Sequence, residues 1–397
     1  MNNKRTQVWM IIASFYPHIG GAEQQALRLS EVLLQQGWNV AVLSRRHNPQ
    51  YNYLPPAREK INRLPIYRVI SPGSGLIASL SFIFWGFIHL ARNGRGNIYH
   101  AHDVGAPGWL AVLARYLLGG HALIKLRSGI NAYQSRYASI IKRWQFLTLL
   151  RLVDKIVVVN REMDDFLIQV GIPPEKVSLI PNAVDIEFFH PTSHEEMLKI
   201  RSKHKIPEQS FVFLYVGRLE YVKGLDILIK AWSNISPCQH EKMQLYLVGD
   251  GSLRAELEAL AGALCPDSSI NFIGKQDNIR DWYWAADIFV LPSRSEGLSN
   301  ALVEAMACGM LVLCSNTGGA LEIVEHEKTG LLFTSEDISS LTRALIKSYR
   351  LGAQRKDMGN FAREKISQEA SLSLISDQFS NLYKTLCSGN NKLISPC

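Results

Sequence analysis

Two glutamates with seven residues between them carry the strongest chemical signal in this chain. Glu296 and Glu304 lie in the run Ser293-Arg294-Ser295-Glu296-Gly297-Leu298-Ser299-Asn300-Ala301-Leu302-Val303-Glu304, which ends at Cys308-Gly309. An apolar stretch precedes it, Asp287-Ile288-Phe289-Val290-Leu291-Pro292, with the character of a buried strand. The spacing predicts a helix over Ala301–Cys308, with Glu296 in the strand-to-helix loop and Glu304 about two turns into the helix. Gly297 permits close approach to the backbone, and N–H groups at a helix start attract anions. A carboxylate further along can accept hydrogen bonds from vicinal sugar hydroxyls. Phosphate donors beside a ribose acceptor make a nucleotide-diphosphate site.

Other residues repeat the arrangement. After the apolar run Phe211–Val216 comes Gly217-Arg218-Leu219-Glu220-Tyr221-Val222-Lys223-Gly224, leading into a helix. The planar fork of Arg218 and the point charge of Lys223 both suit a pyrophosphate. Val248-Gly249-Asp250-Gly251 is a second glycine turn after a strand. Near the N-terminus, Pro17-His18-Ile19-Gly20-Gly21-Ala22-Glu23 follows the first strand and opens a helix. It lacks the dinucleotide and Walker-type spacings, but Gly20 and Gly21 still admit an anion or a sugar. His100 and His102 end another strand on one face. No third ligand stands at useful spacing, so a substrate-facing His102 is expected and no metal.

Short apolar runs alternate with amphipathic stretches in two series. Val8–Ser14, Val40–Leu43, Ile98–His100, Leu123–Leu126 and Ile156–Val159 read as buried strands, with a helix over Ala22–Gln36. The second series places strands at Phe211–Val216, Gln244–Val248, Ile270–Ile273, Ile288–Leu291 and Leu311–Cys314. Helices are expected between them at Leu225–Ile235 and Leu253–Ala263. The fold class is therefore α/β: two facing Rossmann-like, doubly wound parallel-sheet domains with a cleft between them. The expected boundaries are 1–185, 186–370 and a terminal helical segment, 371–397, that packs back on the first domain.

The 397 residues, 47 % apolar and 20 % charged, describe a folded protein of two domains. Residues 1–151 hold 18 Lys/Arg against 4 Asp/Glu, so the first domain is strongly basic. Such a face suits an anionic partner, and an anionic membrane surface is the expected one. No DNA- or RNA-recognition motif is present, which argues against nucleic acid. None of the six cysteines forms a Cys-x2-Cys pair, and a reducing cytoplasm is the expected compartment. Lys4-Arg5 precedes an apolar run too short for a signal peptide. Leu76–Ala91 is uncharged and aromatic-rich, but its length falls short of the ~20 residues that span a bilayer.

Taken together, these motifs resemble the retaining glycosyltransferases of family 4, which have the GT-B fold. The resemblance covers nearly the whole chain and is strongest over residues 154–334. It rests on Pro181-Asn182-Ala183-Val184-Asp185, Gly217-Arg218 with Lys223-Gly224, Glu296-Gly297-Leu298, Glu304 through Gly309, and Thr317-Gly318-Gly319. It implies that Arg218 and Lys223 hold a donor pyrophosphate and that Glu304 binds ribose. Glu296, with the Gly297-Leu298 backbone, would contact the donor sugar and phosphate, beside Gly217. Gly20 and Gly21 would border phosphate and acceptor, with His102 next to the reacting sugar. His102, Arg218, Lys223 and Glu296 are then the expected catalytic set.

The implied donor is a UDP- or GDP-sugar, with no cofactor and no metal. The acceptor would be a glycan or a lipid-linked hydroxyl in polysaccharide or glycolipid synthesis. Arg127-Ser128-Gly129 departs from the family's Thr-x-His-Gly on the acceptor side. A nucleotide-sugar epimerase of the same fold, which consumes donor without acceptor, and a non-catalytic sugar-nucleotide-binding module are the competing readings.

Overall fold

A computed structural model describes residues 6–388 apart from 18–19, 47–53, 73–74, 94–96, 138, 236–241 and 267–268. Lys4, Arg5, His18 and Ile19, named above, lie outside the described residues, as do two of the six cysteines, Cys238 and Cys397. The chain divides into two compact units. One holds the residues up to 183 together with the C-terminal helix, and the other holds residues 184–371.

The first unit is built on a sheet of β1 (Gln7–Ile11), β2 (Asn39–Arg45), β3 (Arg58–Ile61), β4 (Leu64–Val69), β5 (Asn97–Ala101), β6 (Gly120–Lys125), β7 (Lys155–Val158) and β8 (Val177–Leu179). Their spatial order is β3-β4-β2-β1-β5-β6-β7-β8. The order reverses between β1 and β5, so the loops after those two strands open at the topological switch point. Both sheet faces are covered, which is why the strands read as continuous apolar runs. Trp9 and Ile11 of β1 enter one core with Tyr99, Leu110 and Leu149. Val8 and Met10 enter the other, beneath the helix Gly21–Gln35 and the C-terminal helix Leu372–Ser388, which contributes Ile375, Phe379 and Tyr383.

Two expectations are corrected here. The sheet is not wholly parallel: β3 and β4 form an antiparallel edge hairpin. Asn62 and Arg63 close it with φ of 46° and 74°, the positive values that a two-residue hairpin turn requires. Alternating polar residues over Arg58–Ile61 hid it from an apolar-run reading. Secondly, the helix around Leu76–Ala91 runs from Gly75 to Asn93, 19 residues, and by length and composition is long enough to cross a membrane. One face of it, Ala78, Phe82, Gly86 and Leu90, is buried in the first unit, whereas Leu76, Ile77, Leu80, Phe84 and Trp85 are exposed.

The second unit has an all-parallel sheet of β9 (Phe211–Val216), β10 (Met243–Val248), β11 (Ile270–Gly274), β12 (Ile288–Leu291), β13 (Leu311–Ser315) and β14 (Leu331–Phe333). The order β11-β10-β9-β12-β13-β14 again reverses once, between β9 and β12. Phe213, Leu247, Phe289 and Leu313 are fully buried between helix layers. Leu225–Ser233 packs with Arg254–Leu264 and Ile338–Arg350, and Asn300–Ala307 packs with Gln354–Glu369. The sequence-predicted strands of this unit match the observed ones to within a residue.

Candidate nucleotide-sugar site

The switch point of the second sheet lies between β9 and β12, and the residues singled out from sequence gather on the loops that leave these two strands. Lys223 ends a short 3-10 turn, Tyr221–Lys223, after β9. Glu296 stands in the loop after β12. Their side chains form an ion pair between Lys223 Nζ and Glu296 Oε2, with both groups largely shielded from solvent. Ser293 Oγ donates a second hydrogen bond to the same Glu296 oxygen, at 3.3 Å. A partly buried pair of this kind is costly to break from one side, on the order of 3–5 kcal/mol where burial is complete, because the other charge is then stranded.

Arg294 locks the same two loops. Its guanidinium makes a two-pronged contact with Asp226, at 2.8 Å to each oxygen, and donates to the Tyr221 carbonyl at 2.7 Å while lying over the Tyr221 ring. These bonds, first among them those to Asp226, hold its pKa above the ordinary arginine value. Nothing in its sequence context separated Arg294 from a solvated loop cation. The signal is tertiary, since Asp226 lies on the helix after the partner loop.

Backbone packing fixes the remaining turns. Gly249 has φ of 138°, and a Cβ there would sit 1.8 Å from the Gly217 carbonyl oxygen. Gly318, at φ 51°, would likewise meet the Glu296 carbonyl oxygen at 1.8 Å. The Gly217 turn is therefore pressed against the Gly249 turn, and Glu296-Gly297 against Thr317-Gly318-Gly319. Tyr215, fully buried, donates to the Arg218 carbonyl at 2.8 Å. The Arg218 guanidinium is exposed and makes no hydrogen bond or ion pair among the described residues. Leu298 is buried beside the start of the helix Asn300–Ala307.

Glu304 is four residues past the helix start at Asn300, and so about one turn into that helix, not two. It is 4 % exposed, and Tyr283 Oη donates to its Oε2 at 3.0 Å. A carboxylate buried this far is oriented, not free to wander. Tyr283 is its positioning partner and carried no sequence signal.

In the first unit the structure brings Gly20, Gly21 and His102 to the other switch point, after β1 and β5. Gly20 caps the helix Gly21–Gln35, and its N–H is satisfied by Glu23 Oε2 at 3.0 Å. Glu23 and Asp103 flank Arg127, at 3.9 and 4.0 Å. His102 is 3 % exposed, with Nε2 3.5 Å from Met10 Sδ and its ring stacked on His100 at 4.4 Å. His100 is fully buried and bonded through Nδ1 to Tyr383 Oη at 2.7 Å.

Lys125, which lies unremarked inside the expected strand Leu123–Leu126, is 4 % exposed beside them. Its ammonium lies 5.5 Å from the Phe379 ring centre, with no carboxylate partner among the described residues. Burial lowers its pKa to about 8. Burial, then Lys125 and Arg127, lower that of His102 to about 3, and burial with His102 and Lys125 puts His100 well below the usual value. Both imidazoles are thus neutral at physiological pH. His102 can accept or donate a hydrogen bond there, but it is no reservoir of protons. Among the described residues no group of three or more His, Cys, Asp or Glu could hold a metal ion.

Residues 19–188 match the family model described as Glycosyltransferase Family 4, and residues 196–365 match Glycosyl transferases group 1. This chain is a family 4 glycosyltransferase with the GT-B fold. It is 25 % identical to the phosphatidylinositol N-acetylglucosaminyltransferase gpi3 subunit of Schizosaccharomyces pombe, over 96 % of this chain and 81 % of the relative. It is 24 % identical to the UDP-Gal:alpha-D-GlcNAc-diphosphoundecaprenol alpha-1,3-galactosyltransferase of Escherichia coli, over 87 % of this chain and 89 % of that one. The structure of Anabaena HepE in complex with UDP and glucose superposes with a TM-score of 0.81 at 19 % identity, covering 96 % of this chain and all of that one. That last likeness speaks to the fold.

The buried histidines generate a pH prediction for this glycosyltransferase. Their folded pKa values lie below the unfolded value near 6.5, so the unfolded chain binds more protons as pH falls. The stability is fully present above about 6.5 and is lost on acidification, toward about 3 for His102. Each of His100 and His102 then removes about 1.4 kcal/mol per pH unit in that window. Urea midpoints should fall from pH 7 to pH 5, before most carboxylates titrate, and His102→Gln should flatten the slope. An unchanged midpoint across that interval contradicts the burial of neutral imidazoles.

Proposed function

We propose that this glycosyltransferase moves a hexose from a UDP- or GDP-sugar, with retention of anomeric configuration, to a hydroxyl of a glycan or lipid-linked acceptor in cell-surface polysaccharide or glycolipid synthesis. The observation that carries the reading is the meeting of Lys223 and Glu296 at the switch point, with Arg218 exposed on the same loop. A nucleoside diphosphate departs as an anion, and two cations at the carboxyl end of a parallel sheet are placed to stabilise it. Glu296 holds the Lys223 ammonium in place until a pyrophosphate takes it over, and it then faces the donor sugar.

In the proposed step the bond from the anomeric carbon to the diphosphate oxygen breaks, and its electron pair leaves with the diphosphate. The acceptor hydroxyl oxygen bonds to the same face, and its proton passes to the departing phosphate oxygen. No carboxylate has to form a covalent intermediate. The two relatives, one named for phosphatidylinositol and one for a diphosphoundecaprenol, support a lipid-linked acceptor. The basic, apolar-faced first unit supports work at the inner face of an anionic membrane.

A panel of UDP- and GDP-sugars incubated with the protein and a membrane extract tests this. One donor should be consumed only when acceptor is present, with release of nucleoside diphosphate and a product that keeps the donor's anomeric configuration. Donor turnover without acceptor would favour the epimerase, and an inverted product would overturn the mechanism.

Glu304 as the ribose anchor gives a second prediction. Glu304→Gln should weaken nucleoside diphosphate binding by about 1.5–3 kcal/mol for each charge-assisted bond lost, with Tyr283 still able to donate to the amide oxygen. The 2′-deoxy nucleotide should bind the natural protein poorly. Equal affinity for ribo and deoxy forms by calorimetry would remove Glu304 from that role.

A further inference from the structure

The first unit contains a cavity of about 840 Å³ that the sugar-transfer chemistry does not use. It lies among the helices Gly75–Asn93, Ala106–Leu118 and Ile140–Leu152, and its walls include Leu80, Ile83, Trp109, Leu113 and Phe146, with Lys142 at its edge. The volume is within the range that holds small apolar ligands.

Its surroundings are unlike an ordinary solvated surface. Leu76, Ile140, Ile141 and Trp144 are each more than 60 % exposed, and Phe84 and Trp85 add to the same apolar helix surfaces. From residue 60 to 153 the only carboxylate is Asp103, while Lys142 and Arg143 sit between the exposed Ile141 and Trp144. Lys142 makes no ion pair among the described residues. An apolar chamber with apolar lips and an unneutralised cation at the rim is complementary to one kind of molecule, a hydrocarbon chain that ends in a phosphate.

We propose that this cavity seats the hydrocarbon chain of a lipid-phosphate acceptor, with Lys142 against its phosphate and the exposed Leu76, Ile140 and Trp144 in the lipid surface from which it is drawn. The inference rests on the reading above that the acceptor is lipid-linked, and it adds where the lipid is held. Each methylene moved from water into the cavity strengthens binding about fourfold, so affinity rises steeply with chain length until the chamber is full.

The test is photocrosslinking of the full chain with a prenyl phosphate that carries a diazirine on its chain. A parallel arm uses vesicles of phosphatidylcholine and phosphatidylglycerol with a diazirine acyl chain. The prenyl phosphate should label peptides containing Trp109, Leu113 or Phe146, with unlabelled prenyl phosphate competing and inorganic phosphate not. Gly105→Phe fills the chamber where an added Cβ meets nothing nearer than 4.0 Å. It should cut that labelling at least tenfold and leave UDP affinity, thermal midpoint and vesicle flotation unchanged.

Label confined to Leu76, Ile140 and Trp144 would overturn the proposal, and so would equal cavity labelling by the phospholipid chain. Sugar transfer to a lipid extract with no cavity label would refute the seat and leave the function standing. Cavity label without transfer to any lipid would refute the function and keep the seat.

Discussion

The second unit is organised around the ion pair between Lys223 and Glu296. Two charges that come from loops 73 residues apart in sequence meet only because β9 and β12 are neighbours, and they are neighbours only because the strand order reverses there. Every nearby device serves that meeting. Arg294 ties the same loops together from below, and the glycines at 249 and 318 let turns press backbone to backbone. The pair is held short of solvent, where its attraction is strong, and under the proposed function a pyrophosphate would take over the cation, one anion exchanging for another. A site built this way carries its cation already oriented, which is the condition for stabilising a leaving group without reorganisation.

The first unit follows the same geometry with different chemistry. Its own reversal, between β1 and β5, brings Gly20, Gly21 and His102 to one end of the sheet. His102 belongs there to a buried group with His100 and Lys125, against Phe379 and Tyr383 of the C-terminal helix. The last helix of the chain is therefore part of the first unit's interior. Low dielectric keeps both imidazoles uncharged, with Lys125 the cation buried beside them.

Much of this was legible from residues alone. Apolar strands followed by glycine turns and helices gave the two series, and Lys223, Glu296 and Glu304 stood out because strand, loop and helix signals framed them. What escaped has a physical reason in each case. The hairpin Arg58–Val69 is an edge element with polar alternation, so no apolar run marks it. Tyr283, Arg294 and Tyr383 act through partners 21, 68 and 283 residues away, which no local window reports. Lys125 was not singled out within the strand Leu123–Leu126, because its burial depends on a helix that begins 247 residues later. The run Leu76–Ala91 was read by its length, whereas its role depends on which face the core takes.

The claim that Lys223 and Glu296 form one exchangeable unit is tested most directly by a double-mutant cycle on UDP binding, measured by calorimetry with Lys223→Met, Glu296→Gln and the combined variant. The account predicts that Lys223→Met weakens UDP at least tenfold, because it removes the cation and leaves a carboxylate facing the phosphates. Glu296→Gln should bind UDP as well as the natural protein or better, and the combined variant should bind more tightly than Lys223→Met alone. If Lys223→Met binds UDP as the natural protein does, or if the two substitutions simply add, the pair is a structural tie and not the seat of the leaving group.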